Sequence, residues 1–245
     1  MSETRRDGGE PGGGKILGVL GGMGPLASAQ FMLRLTLLTP AERDQDHIPA
    51  VLWSDPRVPP RTVGQRGTAR DPLPWLVHGL HGLAAAGCGA VAIPRNTAHG
   101  WIDGMRAASP LPILHIIDAA AADLRRQGVG PGTIGIMATE ATLAMRLYQE
   151  RLEALGWPCL QPDAAEMVAF VSPAIAAVKA NRVAEAYAPL AEIVGRLRDR
   201  GAGAIVLGCT EIPLGIQAGP WETLGVPVID TIDALARSAI AWARS

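Results

Sequence analysis

Short apolar runs recur along this chain, each closed by glycine, proline or a polar loop. Lys15–Leu20, Ala50–Ser54, Ala90–Pro94, Leu111–Ile116, Thr133–Met137, Ala204–Leu207 and Val226–Ile229 have the near-continuous apolar character of strands buried on both faces. The stretches between them read as helices: Ser28–Leu38 behind a Pro25 suited to a first helical position, Pro72–Ala86, Trp101–Ala107, Leu143–Leu155, Pro173–Ala180, Arg182–Arg200 and Ile232–Ala243. Strands alternating with helices predict an α/β fold of parallel sheets flanked by helices.

The pattern also restarts. Gly87–Thr97 aligns without gaps on Gly201–Glu211, which places Arg95 where Cys209 falls. Gly18–Gly24 pairs with Gly135–Ala141, and the interval between the two matches is similar in both halves. Two matches at similar spacing indicate an internal duplication. The expected architecture is two pseudo-symmetric α/β lobes whose strand-end loops line one cleft, since ligand sites favour such interfaces.

Composition narrows the function. The chain has 245 residues and a net charge of -1, and 48% of it is hydrophobic. That length can bury one large core or two smaller ones. The near-neutral balance offers no electrostatic case for nucleic acid or an anionic membrane. Three cysteines without paired spacing argue against a disulfide framework or a zinc site and fit a reducing cytoplasm. Met1–Gly14 is Gly-rich and charged, without the apolar core of a signal peptide, and reads as a disordered tail. No apolar run approaches the roughly 20 residues of a membrane span.

Cys209, at the carboxyl end of an apolar strand and beside Thr210 and Glu211, is the best nucleophile or base. A small buried apolar role is the competing reading. Cys88 and Cys159 read as packing residues. Arg95 keeps its charge at working pH, so it is suited to binding an anion or lowering the pKa of a facing thiol. Asn96, Thr97 and Thr139 offer loop hydrogen bonds but read equally as helix caps. His99 is open between acid–base and positioning roles. Arg61 and Lys179, taken alone, read as solvated charges. The Gly22-x-Gly24-x-x-Ala27 spacing after a strand, with Asp55 at the next strand end, matches a dinucleotide fingerprint. The second half repeats the turn without its glycines, and a small carboxylate suits both turns better.

Taken in order, Gly21-Gly22-Met23-Gly24-Pro25-Leu26-Ala27, Asp46-His47-Ile48-Pro49, Pro59-Pro60-Arg61-Thr62, Pro94-Arg95-Asn96-Thr97-Ala98-His99 and Gly208-Cys209-Thr210-Glu211 resemble the aspartate/glutamate racemase superfamily, closest to its aspartate racemase branch. The resemblance runs from Lys15 to the end. It implies a first lobe of 15–115 plus 226–245, a second lobe of 116–225, no cofactor and no metal. It also implies a cytoplasmic homodimer acting on a small acidic amino acid or dicarboxylate. In the family one cysteine from each lobe faces the substrate α-carbon, one removing a proton and the other delivering one. By that resemblance Arg61 and Lys179 hold the distal carboxylate, while Asn96, Thr97 and Thr139 hold the α-carboxylate. Met23 and Thr210 complete the binding set, and His99 and Glu211 support it.

The chain departs from the family pattern where the first cysteine is Arg95, the aspartate before Arg61 is Pro60, and a second-turn glycine is Ala141. A symmetric two-thiol reaction is therefore not expected. The expected function is single-thiol isomerase-type chemistry at Cys209. The alternatives are a one-cysteine decarboxylase or cis–trans isomerase, a catalytically silent carboxylate-binding protein, and a nucleotide-dependent oxidoreductase.

Overall fold

The computed structural model describes residues 15–59 and 70–245. Two four-stranded parallel sheets carry the same strand order. The first contains β1 (Leu17–Gly21), β2 (Ala50–Ser54), β3 (Ala90–Ala92) and β4 (Ile113–Leu114), arranged β2-β1-β3-β4. The second contains β5 (Thr133–Ala138), β6 (Cys159–Leu160), β7 (Ala202–Gly208) and β8 (Val228–Asp230), arranged β6-β5-β7-β8. The duplication is therefore topological, with β3 and β7 in equivalent places. In each sheet the winding direction reverses between the two central strands, where open α/β sheets leave a crevice beyond the strand ends.

Helices α1 (Pro25–Leu38), α2 (Leu73–Ala85) and α3 (Ile102–Ala108) connect the strands of the first sheet. Helix α4 (Ile116–Arg126) leads to the second. There the connections are α5 (Glu140–Ala144), α6 (Leu147–Ala154), α7 (Ala164–Glu166), α8 (Ser172–Lys179), α9 (Tyr187–Asp199) and α10 (Ile212–Gln217), and α11 (Thr231–Arg244) closes the chain. A π-helical stretch, Met167–Val171, joins α7 to α8. No helix among the described residues is long and apolar enough to cross a membrane.

Several elements differ from the sequence pattern. The expected helix Leu143–Leu155 is broken at Arg146, which is left-handed with φ 50°, into α5 and α6, and the expected helix Arg182–Arg200 opens as a 3-10 turn, Val183–Glu185, before α9 begins at Tyr187. The apolar run ending at Ile116 stops earlier as a strand, because His115 caps α4 by accepting from the Ile117 amide at 3.2 Å. The two-residue strand β6 and the short helix α10 carry no expectation from the sequence pattern. The expected grouping of 226–245 with the first lobe needs correction for its strand: β8 pairs with β7 in the second sheet. Only the helix crosses over. Helix α11 packs on α1 and α4, and Asp233 joins Arg34 of α1 at 2.5 and 2.6 Å. Helix α4 makes the reciprocal crossing and packs on α6 and β8.

The core follows from this exchange. One apolar cluster runs through both sheets, from Leu17 and Phe31 through Ile117 and Leu235 to Ile136 and Leu207. A smaller one, with Leu20, Leu80, Val91 and Met105, fills the other face of the first sheet. The sheets thus share a continuous packed interior, which holds their strand-end loops in register.

Candidate active site

The turn after β1 is fixed by its own residues. Ser28 accepts from the Gly22 amide at 2.9 Å and donates to the Gly24 carbonyl at 3.1 Å. Gly22 has φ 91°, and a Cβ there would lie 2.3 Å from the Asp55 amide nitrogen. The glycine thus lets the loop after β2 close onto the turn. Asp55 is engaged by Arg57, whose Nε and Nη2 donate at 2.8 and 2.9 Å. That side-chain bond, followed by the Arg57 amide, holds the carboxyl down to about 2. The acidic residue of the dinucleotide pattern is therefore engaged in a local ion pair with the exposed Arg57. In the second lobe Thr139 caps α5, accepting from the Thr142 amide at 3.3 Å, with the two hydroxyls 3.0 Å apart.

The ends of β3 and β7 converge. Cys209 donates its thiol proton to Glu211 Oε2 at 3.0 Å, and the Thr210 hydroxyl donates to the same oxygen at 3.0 Å. From the other lobe Arg95 brings Nη1 to 3.9 Å from Glu211 Oε1, while its Nε donates to Thr97 Oγ1 at 3.2 Å. Duplicated positions thus place a thiol and a guanidinium around one carboxylate. Burial, then the Glu211 charge and hydrogen bond, push the Cys209 thiol up to about 12, against a downward pull from Arg95. The thiol is protonated at rest. Burial works to raise the Glu211 carboxyl, but the Cys209 hydrogen bond, the Arg95 and Lys179 charges and Thr210 outweigh it, so its pKa is lowered.

Above this point opens a cleft of about 940 Å³ between the lobes. Met23, Arg95, Thr97, Thr139, Lys179, Thr210 and Glu211 line it. Lys179 ends α8 and is exposed on the cleft wall. The floor narrows to a recess of about 10 Å³, room for about one water, where Asn96 and Cys209 join Arg95, Thr97, Thr139 and Thr210. His99 lies elsewhere: it is buried, with Nε2 3.2 Å from the Ile93 carbonyl and its ring 4.5 Å from that of His115. Burial lowers its pKa to about 4, so it is neutral and serves the backbone below the Arg95 loop. Arg61 lies outside the described residues.

Several residues at the site carry no sequence signal. Glu140 and Ser172 line the cleft and are bonded at 3.4 Å, although they belong to separate helices. Tyr148 is buried and donates its hydroxyl to Asn96 Oδ1. Thr142 lines the recess as well, through its hydroxyl contact with Thr139.

Two duplicated α/β lobes with a thiol, a carboxylate and a guanidinium at facing strand ends define a two-lobe cleft enzyme. Residues 20–239 match the Asp/Glu/hydantoin racemase family, and the chain belongs to that family of isomerases. The aspartate racemase of Picrophilus torridus is 31% identical and superposes with a TM-score of 0.80, covering 94% of this chain and 95% of that one. The broad-specificity amino-acid racemase of Bacillus subtilis is 24% identical over 231 residues, covering 92% of this chain and 97% of that one. The fold is shared with the glutamate racemase of Francisella tularensis solved with D-glutamate (TM-score 0.67, 17% identity, 94% and 81% covered).

Proposed function

We propose that this enzyme performs acid–base chemistry at the α-carbon of an acidic amino acid or similar dicarboxylate through one thiol, Cys209. The observation that carries this reading is the pairing of Cys209 with Arg95 at equivalent strand ends around Glu211. Asn96, Thr97 and Thr139 bind the α-carboxylate at the floor of the cleft. Lys179, with Arg61, takes the distal carboxylate, and Met23 and Thr210 shape the wall. The similarity to the Picrophilus torridus enzyme supports the aspartate racemase branch. Three free thiols suit a reducing cytoplasm, and the exposed leucines of α1 (Leu26, Leu33, Leu37) suit a homodimer.

The proton inventory follows from the resting state. Cys209 gives up its thiol proton to solvent, a loss that Arg95 favours and burial and Glu211 oppose; the thiolate then takes the α-proton, and negative charge develops on the substrate carboxylate. Arg95 stabilises that charge where the resembled family supplies a second thiol. Return of a proton from Cys209 restores the original configuration. The expected signature in deuterated water is α-proton exchange with retention from one enantiomer of aspartate or glutamate, and racemisation far slower. Rapid washout from both enantiomers with inversion would overturn the single-thiol reading. Unchanged activity in Cys209→Ala would remove Cys209 from the mechanism.

The protonated resting thiol favours a second reading, in which Cys209 protonates an enolate formed by decarboxylation. Carbon dioxide release from a 2-substituted malonate, without α-proton exchange of amino acids, would select it.

A further inference from the structure

Asn96 is almost fully buried, and its Nδ2 has no hydrogen-bond partner among the described residues. A buried donor left open points to something else that takes it up. Asn96 borders the recess that Cys209, Thr139 and Thr210 also line. Its Oδ1 is occupied by the hydroxyl of Tyr148, which comes from α6 in the other half of the chain. Burial raises the Tyr148 pKa, so the phenol stays a donor throughout the working range. The Thr231 hydroxyl donates to the Leu207 carbonyl at 2.8 Å and also lies within hydrogen-bond reach of the Tyr148 hydroxyl, so it helps to hold the phenol in place beside Asn96. A fixed donor on Oδ1 orients the amide so that Nδ2 is the prong left for a ligand.

The same ring also touches the strand that carries the thiol. A Cβ on Gly208 would lie 2.9 Å from Tyr148 Cε2, so glycine is what lets the ring lie against the residue before Cys209. One rigid side chain thus meets the residue after Arg95 and the residue before Cys209.

We propose that Tyr148 is a positioning residue: it fixes the Asn96 amide so that Nδ2 donates to a substrate carboxylate oxygen in the recess, and it holds the Arg95–Asn96 loop in register with Gly208-Cys209. This rests on the recess being the carboxylate site of the proposed reaction. The physical cause is orientation, because an amide free to flip presents its acceptor as often as its donor.

The test compares Tyr148→Phe, Asn96→Ala and the double variant by α-proton exchange of aspartate in deuterated water. Phe keeps the ring against Gly208. Tyr148→Phe should lower kcat/KM by about tenfold, the scale of one hydrogen bond, mainly through KM. In the Asn96→Ala background the same change should alter kcat/KM by less than about twofold, because its target is gone. Equal effects in both backgrounds, or no effect of Tyr148→Phe, would overturn the assignment. The second readout is independent of turnover: the Asn96 side-chain amide protons, followed by nitrogen-15 NMR, should shift and exchange faster in Tyr148→Phe. If the wild type exchanges no acidic amino acid, the functional reading fails, and unchanged Asn96 amide signals would then refute the positioning role separately. Should Tyr148→Phe not fold, Asn96→Asp keeps the acceptor that Tyr148 bonds and removes the amino donor. Its aspartate KM should rise about tenfold, and a wild-type KM would overturn the proposal.

Discussion

Replacing Glu211 with glutamine tests what holds the Cys209 proton. In the native site burial is the first cause of a thiol pKa near 12, and the Glu211 carboxylate, 3.0 Å from Sγ, adds a charge and a hydrogen bond. Glutamine keeps the shape and an acceptor but carries no charge. Two unit charges about 4 Å apart interact by about 4 kcal/mol at an effective dielectric of about 20. One pH unit corresponds to about 1.4 kcal/mol, so the charge alone accounts for up to about three pH units. Arg95 also loses the carboxylate it faces and acts more strongly on the thiolate. The thiol midpoint in Glu211→Gln should fall by roughly one to three pH units. It should remain above an ordinary cysteine because burial is unchanged. The measurement is thiolate absorbance against pH in a Cys88→Ser, Cys159→Ser background, since burial raises both of those thiols as well. An unchanged or higher midpoint would refute the assignment of Glu211 as the group that keeps Cys209 protonated.

Other predictions follow from the same geometry. Arg95→Cys should restore a thiol opposite Cys209 and raise racemisation with inversion relative to exchange with retention; polarimetry that detects no gain in inversion would count against the equivalence of the two positions. Gly22→Ala should destabilise the fold by at least about 1–2 kcal/mol from its left-handed backbone alone, with the contact to Asp55 adding to that, and a urea midpoint equal to wild type would contradict it. Thr139→Ala should cost about 1 kcal/mol through the lost α5 cap and weaken succinate binding, both readable by denaturation and calorimetry. Asp230 is lifted to about 7 by burial and then by Asp233, against its two amide hydrogen bonds and Arg34. A raised carboxyl pKa favours the fold below the unfolded value and loses that advantage as pH rises through the folded one. Asp230→Asn, which still caps α11, should therefore gain stability relative to wild type between about pH 4 and 7, and parallel stability curves would exclude the effect.

The central strands were legible because burial on both faces leaves an apolar run with few interruptions, as in Gly18–Leu20 and Ala204–Leu207. The gapless match of Gly87–Thr97 to Gly201–Glu211 then carried the facing of Arg95 and Cys209, since equivalent strands end at equivalent places. Edge strand β6 has two residues, too few for any period to register. Helix α4 begins while the apolar run of β4 continues in the sequence, and its start depends on the His115 cap, a local bond that hydrophobicity does not report. The contact between Tyr148 and Asn96 spans 52 residues and joins two halves. Nothing local marks it, because it arises only after both sheets are packed. His99 is open between acid–base and positioning roles in the sequence, and the burial against His115 that bears on that choice depends on the same tertiary packing.

The exchange of α4 and α11 bears on how such a chain is inherited. Each sheet depends for part of its covering on a helix encoded in the opposite half. A cut between residues 126 and 133 would leave α11 without α1 and α4 without α6, exposing apolar faces on both fragments. The two halves therefore gain or lose function as one unit. A replacement such as Arg95 in one copy can then be kept only if the shared cleft still supports useful chemistry, since neither copy can be discarded to leave a folded remainder.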